Sequence, residues 1–258
     1  MIWLSSLALA AMPPGVDLDN LLAWERSADE LLDGPPGCWT VEATATRKLV
    51  AFVPPDLWSS GTQYEEVVTA TISGTLNNGT WTTYGVDRLD SGDPKSVNPL
   101  IRWMPTVAER LDIVPLVGTL PSTGGSTPTN LVRQIVDDWG GDISTSVAEW
   151  DAERNGVWLR REVPIRKGQR AKTSHVETFF PEGEEHATRL DVTFPTSFKA
   201  GTRFMRFRLD DAQFHIRSGP TPTAESASLM LVGLGITMGY EQRIDYVTFD
   251  PCVEAPVP

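Results

Sequence analysis

The side chains able to do chemistry in this chain are few and scattered. Of three histidines, His175 is followed two residues on by Glu177. In an extended strand residues i and i+2 share a face, so these two could hold a metal or act as an acid/base pair. Zinc deaminases build their centre on such an HxE together with a CxxC. The second half cannot exist here, because the two cysteines are Cys38 and Cys252. Without a third ligand, His175 and Glu177 read as surface strand residues. His186 falls in an EGEEH turn, and His215 alternates with Phe214 and Ile216, which points it to solvent. Adjacent carboxylates such as Asp137-Asp138, Glu184-Glu185 and Asp210-Asp211 would face opposite sides of a strand and cannot share a proton. A glycosidase pair brought from distant strands stays open.

The longer signatures are missing. No serine is flanked by glycines at the nucleophile-elbow spacing, and there is no HExxH, P-loop or EF-hand loop. Gly233, Gly235 and Gly239 approach a dinucleotide fingerprint, but Met238 stands where the third glycine belongs and no strand-turn-helix pattern surrounds it. A strand bend explains these glycines better. The sequence thus assigns no catalytic residue, no metal ligand and no cofactor.

Two other features are chemical in a wider sense. A Cys38–Cys252 bridge would close a loop of more than 200 residues, worth about 4–5 kcal/mol in the chain-entropy picture; the other reading is two unpaired cysteines packed as small hydrophobes. The chain is acidic, net −12, yet Arg160, Arg161, Arg166, Lys167, Arg170 and Lys172 with Glu162 make one segment of +5, leaving −17 for the remainder. This patch could meet a phosphate, a lipid headgroup or an acidic partner, or lie as a solvated face. The acidic balance argues against nucleic acid as a partner, since phosphate neutralisation needs a basic surface.

The N-terminus reads MIWLSSLALAA, a short apolar run ending in Ala8-Leu9-Ala10. That is the pattern of a secretory signal peptide over residues 1–11 with a small-residue cleavage site, although its start lacks Lys or Arg; a buried apolar strand is the alternative. Export fits the proposed bridge, and with it a periplasmic or secreted location. The best later apolar run, LMLVGLGITMGY from Leu229 to Tyr240, is about half the ~20 residues a membrane-crossing helix needs. It reads as a buried core element, so no transmembrane helix is expected in the mature chain.

These residues must be positioned by strands. Asp17 to Asp33 has leucines at helical spacing, an N-capping Asp17 and a Gly34-Pro35-Pro36 stop. A second helix is expected over residues 127–139, with Thr127 as cap, Pro128 at its first position and Gly140-Gly141 as its end. Nearly everything else alternates with period two, beginning with Trp39, Val41, Ala43 and Ala45 on one face and Thr40, Glu42, Thr44 and Thr46 on the other. Asn78-Gly79 and Asn155-Gly156 supply hairpin turns, and the former opens an Asn-Gly-Thr glycosylation sequon. Residues 89–126 are rich in Gly, Pro and Ser and read as a long crossing connection, a place for a lid or rim. At least eight antiparallel strands exceed one flat sheet and must curl into a barrel or half-barrel, or fold as a sandwich.

The expected class is therefore mainly β (α+β): one domain over residues 12–258, a curved antiparallel sheet packed with two amphipathic helices. This element order is similar to that of bacterial periplasmic lipoprotein-carrier half-barrels, a likeness of architecture that brings no site residues with it. The leading functional reading is an exported, non-enzymatic protein that binds an apolar, lipid-like or amphipathic ligand in the curved sheet. The alternatives are an envelope interaction protein using the basic patch, and a hydrolase with distant carboxylates or the His175/Glu177 pair.

Overall fold

The computed structural model describes residues 30–53, 62–91, 113–120, 147–164, 173–184, 186–194, 198–201, 206–233 and 236–253. The expected alternation produces eleven strands: β1 (Cys38–Phe52), β2 (Thr62–Asn77), β3 (Thr80–Ser91), β4 (Val147–Asp151), β5 (Gly156–Pro164), β6 (Thr173–Pro181), β7 (Arg189–Phe194), β8 (Phe198–Gly201), β9 (Arg206–Ser218), β10 (Pro222–Gly233) and β11 (Ile236–Pro251). All belong to one antiparallel sheet, ordered β3-β2-β1-β11-β10-β9-β7-β6-β5-β4 with β8 beside β9. The described residues form one sheet and not two, with β3 and β4 at the two ends of its strand order.

The helical expectation requires correction. The described part of the first helix is one turn at residues 30–33, and the second, at residues 127–139, lies outside the described residues. Two amphipathic helices packed on the sheet are therefore not borne out. The signal-peptide segment also lies outside. The run from Leu229 to Tyr240 is not one buried element: Leu229 to Gly233 of β10 pair with Tyr240 to Ile236 of β11 as a hairpin, and Met230 is exposed. No helix among the described residues is long and apolar enough to cross a membrane.

Turn chemistry accounts for one hairpin and not the other. Between Asn77 and Thr80 of the β2–β3 pair, Asn78 (φ 44°) and Gly79 (φ 77°) both take left-handed backbone, as a two-residue type I′ turn demands. At Asn155-Gly156 only Asn155 (φ 52°) does so. Residues 152–155 form a longer loop in which Asp151 Oδ1 accepts from the Glu153 and Arg154 amides, both at 3.0 Å. Gly156 serves packing instead, since a Cβ there would stand 2.4 Å from the Phe180 carbonyl oxygen.

One face of the sheet is apolar. Along β1 the odd residues Val41, Ala43, Ala45, Leu49 and Ala51 are buried while Thr40, Glu42, Thr44 and Thr46 are exposed. Register carries that inner face from strand to strand: Ala45 opposes Ala70 and Ile244, Ile244 opposes Glu225, and Glu225 opposes Ile216. Ile216 in turn opposes Leu190, and Leu190 opposes Thr178. Three apolar clusters sit on this face. One, centred on Trp81, Phe180 and Phe214, lies toward the disulfide; a second joins Ala43, Ala45, Ala70, Ile72 and Ile244 to Ile113. The third, Leu49, Ala51, Val53, Tyr64, Met238 and Tyr240, lies at the far end of β1.

At the near end the sheet is drawn together. The β2–β3 and β6–β7 turns are six strand spacings apart in the sheet order, which would be roughly 29 Å on a flat sheet. Yet one short segment reaches both. Glu30 Oε2 is 3.2 Å from His186 Nδ1, and a Cβ built on Gly79 would lie 3.1 Å from Asp33 Cβ.

Cys38 and Cys252 form the disulfide across the first strand and the end of the last, Cα–Cα 5.3 Å. The Cys252 amide also donates to the Cys38 carbonyl at 2.9 Å.

Candidate functional site

The inner face is crossed by residues 113–119, which form a strap held chiefly through its backbone. Tyr84 Oη donates to the Ile113 carbonyl at 2.6 Å. Gln242 pairs with Val114 twice, accepting from its amide at 3.0 Å and donating to its carbonyl at 2.8 Å. Tyr240 Oη donates to Gln242 Oε1 at 2.7 Å and fixes that amide. Glu225 accepts from the Leu116 and Val117 amides at 2.7 and 3.0 Å and from Tyr246 Oη at 3.0 Å. Trp81 Nε1 donates to the Val117 carbonyl at 2.8 Å. Backbone bonds from Gly118 to Leu32 and from Thr119 to Gly79 close the end, both at 2.7 Å.

The strap runs where the long connection was expected, and it covers the middle of the sheet. Its pegs are polar residues at inward-facing strand positions, since a crossing backbone on an apolar face must find donors and acceptors there. Burial pushes the Glu225 carboxyl up to about 7, although three hydrogen bonds pull it the other way. The same burial, with Glu225 beside it, holds the Tyr246 phenol well above its ordinary range.

Gly118 sets how closely the strap can lie. It takes φ +79°, and a Cβ would meet Leu76 Cδ1 at 2.4 Å and Trp81 Nε1 at 2.6 Å. Gly118→Ala should cost about 2–3 kcal/mol through the left-handed backbone and the overlap together. Urea unfolding with the disulfide intact checks this, and a loss under 1 kcal/mol would show that the strap lifts without consequence.

A buried ion pair lies on the same face beyond the strap. Arg47 Nη2 is 2.5 Å from Glu66 Oε2, with both residues nearly or fully buried. At the other end the helical turn and three hairpin turns enclose a cleft of about 420 Å³, whose polar lining includes Glu30, Asp33, Asn78, His186 and Ser218.

The two described residues of the basic patch face opposite sides of the sheet. Arg160 is exposed on the outer face and ion-paired with Glu149 and Glu177. Arg161 points to the inner face and is buried. Arg166, Lys167, Arg170 and Lys172 lie outside the described residues.

His175 and Glu177 share the outer face as expected, but Glu177 is taken by Arg160 at 2.9 Å. No group of three metal-ligating side chains exists among the described residues. His215 lies on the face opposite Phe214 and Ile216. It is half-buried, and its Nδ1 lies 2.8 Å from Asp191 Oδ1. Burial raises the Asp191 carboxyl, but hydrogen bonds and charge from His215 and Arg189 outweigh it and hold the group below its ordinary value.

Sequence reading missed Glu225, Gln242, Trp81 and Tyr84. A signal was present for the first two, each a polar residue in phase with buried neighbours: Glu225 with Ala227, and Gln242 with Tyr240 and Ile244.

No family model matches the chain, and no curated protein matches it. Among solved structures it is similar to "Lipid-protein interactions in lipovitellin", with a TM-score of 0.30 and 10% identity. The similarity covers 87% of this chain and 26% of that one. This chain thus spans about a quarter of that structure's length, and the likeness is too slight to establish a shared fold.

Proposed function

We propose that this chain is an exported binding protein that holds an apolar or amphipathic ligand against the inner face of a half-barrel sheet. The supporting observation is the sidedness of the sheet, whose inner face carries three apolar clusters. Drawing the hairpin turns together around residues 30–36 makes that face concave, which suits a binding site better than a flat surface does. The strap supports this reading: a segment crossing the inner face has its backbone polar groups met by isolated polar side chains. Beyond it, the far cluster of Leu49, Ala51, Val53, Tyr64, Met238 and Tyr240 next to the Arg47–Glu66 pair is the region we assign to the ligand.

A disulfide tying β1 to the end of β11 is compatible with an oxidising, extracytoplasmic compartment. We read residues 12–258 as one domain, following a signal peptide at residues 1–11. The envelope-partner reading has less support, because Arg160 is neutralised and Arg161 is buried.

Native mass spectrometry of the purified protein, followed by titration with a fluorescent fatty acid, tests the proposal. A co-purified lipid or saturable binding is expected, and Ala51→Phe, which fills the far cluster, should weaken it at least tenfold. Folded, disulfide-intact protein that carries no lipid and binds no probe would overturn the reading.

A further inference from the structure

The outer face carries one line of side chains whose order is chemical. Register places Asp191 of β7 directly opposite His215 of β9, His215 opposite Ser226 of β10, and Ser226 opposite Arg243 of β11. Directly opposed residues have Cβ atoms about 4.5–5.5 Å apart on one face, so each of the four has the next within side-chain reach. Three are half-buried or exposed. Asp191 is the exception, a carboxylate with 7% side-chain exposure on the outer face, where Trp158 and Phe179 are buried as well.

Asp191 uses its burial to orient its neighbours. One oxygen is 2.8 Å from His215 Nδ1, and Arg189 holds the carboxylate with Nε at 2.9 Å and Nη2 at 2.7 Å. An ionised Asp191 on Nδ1 requires the proton of a neutral imidazole to sit there, which leaves Nε2 as a bare base. By register the residue that flanks His215 on the other side is Ser226 of β10. The charged groups around the ring on the other strands are Arg189 and Glu177, with Glu177 neutralised by Arg160, and Arg217 two residues along β9.

Arg243 completes the line from the far side of Ser226. Its Nε and Nη2 donate to Asp245 at 2.8–3.1 Å, which fixes the guanidinium plane and leaves Nη1 without a partner among these bonds.

We propose that Ser226, His215 and Asp191, with Arg243 beside them, form a site that hydrolyses accessible carboxylic esters. Ser226 Oγ attacks the ester carbonyl carbon as its proton passes to His215 Nε2, and the carbonyl pair moves to the oxygen facing Arg243. Collapse of that intermediate breaks the bond to the alcohol oxygen, which takes the proton from His215. Water then attacks the acyl-serine by the same base, releasing the carboxylic acid and restoring Ser226, so ester and water yield acid and alcohol. Asp191 acts as a positioning residue through His215. None of the four residues lines the near-end cleft; they stand on the outer face of the sheet, so the substrate class we propose is short or exposed esters rather than a buried chain. This inference is independent of the inner-face ligand.

The test uses the full, disulfide-bonded chain with a fluorophosphonate probe mapped by peptide mass spectrometry, and with p-nitrophenyl butyrate as substrate. Labelling at Ser226 is expected, with loss of both label and hydrolysis in Ser226→Ala. His215→Gln should slow labelling by about 10²–10⁴-fold. Asp191→Asn should slow it as well, and Asp191→Glu should recover part of the rate, which a purely structural role would not predict. Ser226→Ala alters a half-buried position and should fold. Absence of label on folded wild-type protein, label on another residue, or label retained in Ser226→Ala would each overturn the proposal.

Discussion

Glu225→Leu should lower stability by about 3–5 kcal/mol at pH 5. The substitution keeps the volume on the inner face but deletes the acceptor for three buried donors, the Leu116 and Val117 amides and the Tyr246 hydroxyl. Each buried donor left without a partner costs on the order of 1–3 kcal/mol, and the relief of burying an acid offsets part of the sum. The loss should depend on pH with a defined sign. Glu225 titrates near 7 when folded against 4.5 for an ordinary glutamate, so the folded state binds its proton more tightly than the unfolded state does. Its contribution is fullest below pH 4.5 and declines as pH rises toward 7, because the ionised carboxylate must then stay buried. That interval amounts to about 3 kcal/mol.

The gap between wild type and Glu225→Leu should therefore be wider at the acid end of the range and narrow by roughly 2–3 kcal/mol between pH 5 and pH 8. Urea unfolding of both proteins across that range, read as a difference, cancels the histidines that also titrate there. A gap that stays constant or widens toward pH 8 would mean that Glu225 is not the group holding the strap. Protease cleavage within residues 113–120 should accelerate in the variant before global unfolding does, since the pegs are local to the strap.

Removing the bridge with Cys38→Ser and Cys252→Ser should cost about 5 kcal/mol, because 214 residues separate the two cysteines and the entropy released to the unfolded chain grows with the logarithm of the loop. For a protein with ordinary stability of roughly 5–15 kcal/mol, that is a large fraction. The folded state should change little, since β1 and β11 remain paired along their length. Denaturant midpoints of the bonded and double-serine proteins give the measurement. A loss below 2 kcal/mol would show that the unfolded chain already holds its ends together.

The elements that were legible in the sequence share a property: each is decided by neighbours along the chain. Alternation of Val41, Ala43 and Ala45 with Thr40, Glu42 and Thr44 gives a two-faced strand because side chains alternate with period two. Asn78-Gly79 gives its turn because those two residues tolerate left-handed backbone. Where the same dipeptide recurs at Asn155-Gly156, Asp151 captures two loop amides and the turn lengthens. The run from Leu229 to Tyr240 was misread for a related reason, since a continuous apolar stretch does not show where a strand folds back.

The sites were legible only in outline. Polar residues in the buried phase of a strand, such as Arg47, Glu225 and Gln242, signal that something polar must lie on the inner face. They do not say that it is residues 113–119, which meet Gln242 across 128 positions. The line from Asp191 to Arg243 was invisible for the same reason: its members are not spaced as a motif, and four strands must pair in register before they become neighbours.

By itself the sequence determined the strands, their two faces, one tight turn and the presence of two cysteines able to bond, because local sterics and hydrophobic periodicity suffice for these. The tertiary structure alone decided the strand order, the closing of the near end, the crossing of the strap and the company kept by Glu225 and His215. Hydrogen-bond register joins residues by position across the sheet, and that relation is set by the pairing of whole strands, not by any residue's neighbours in the chain.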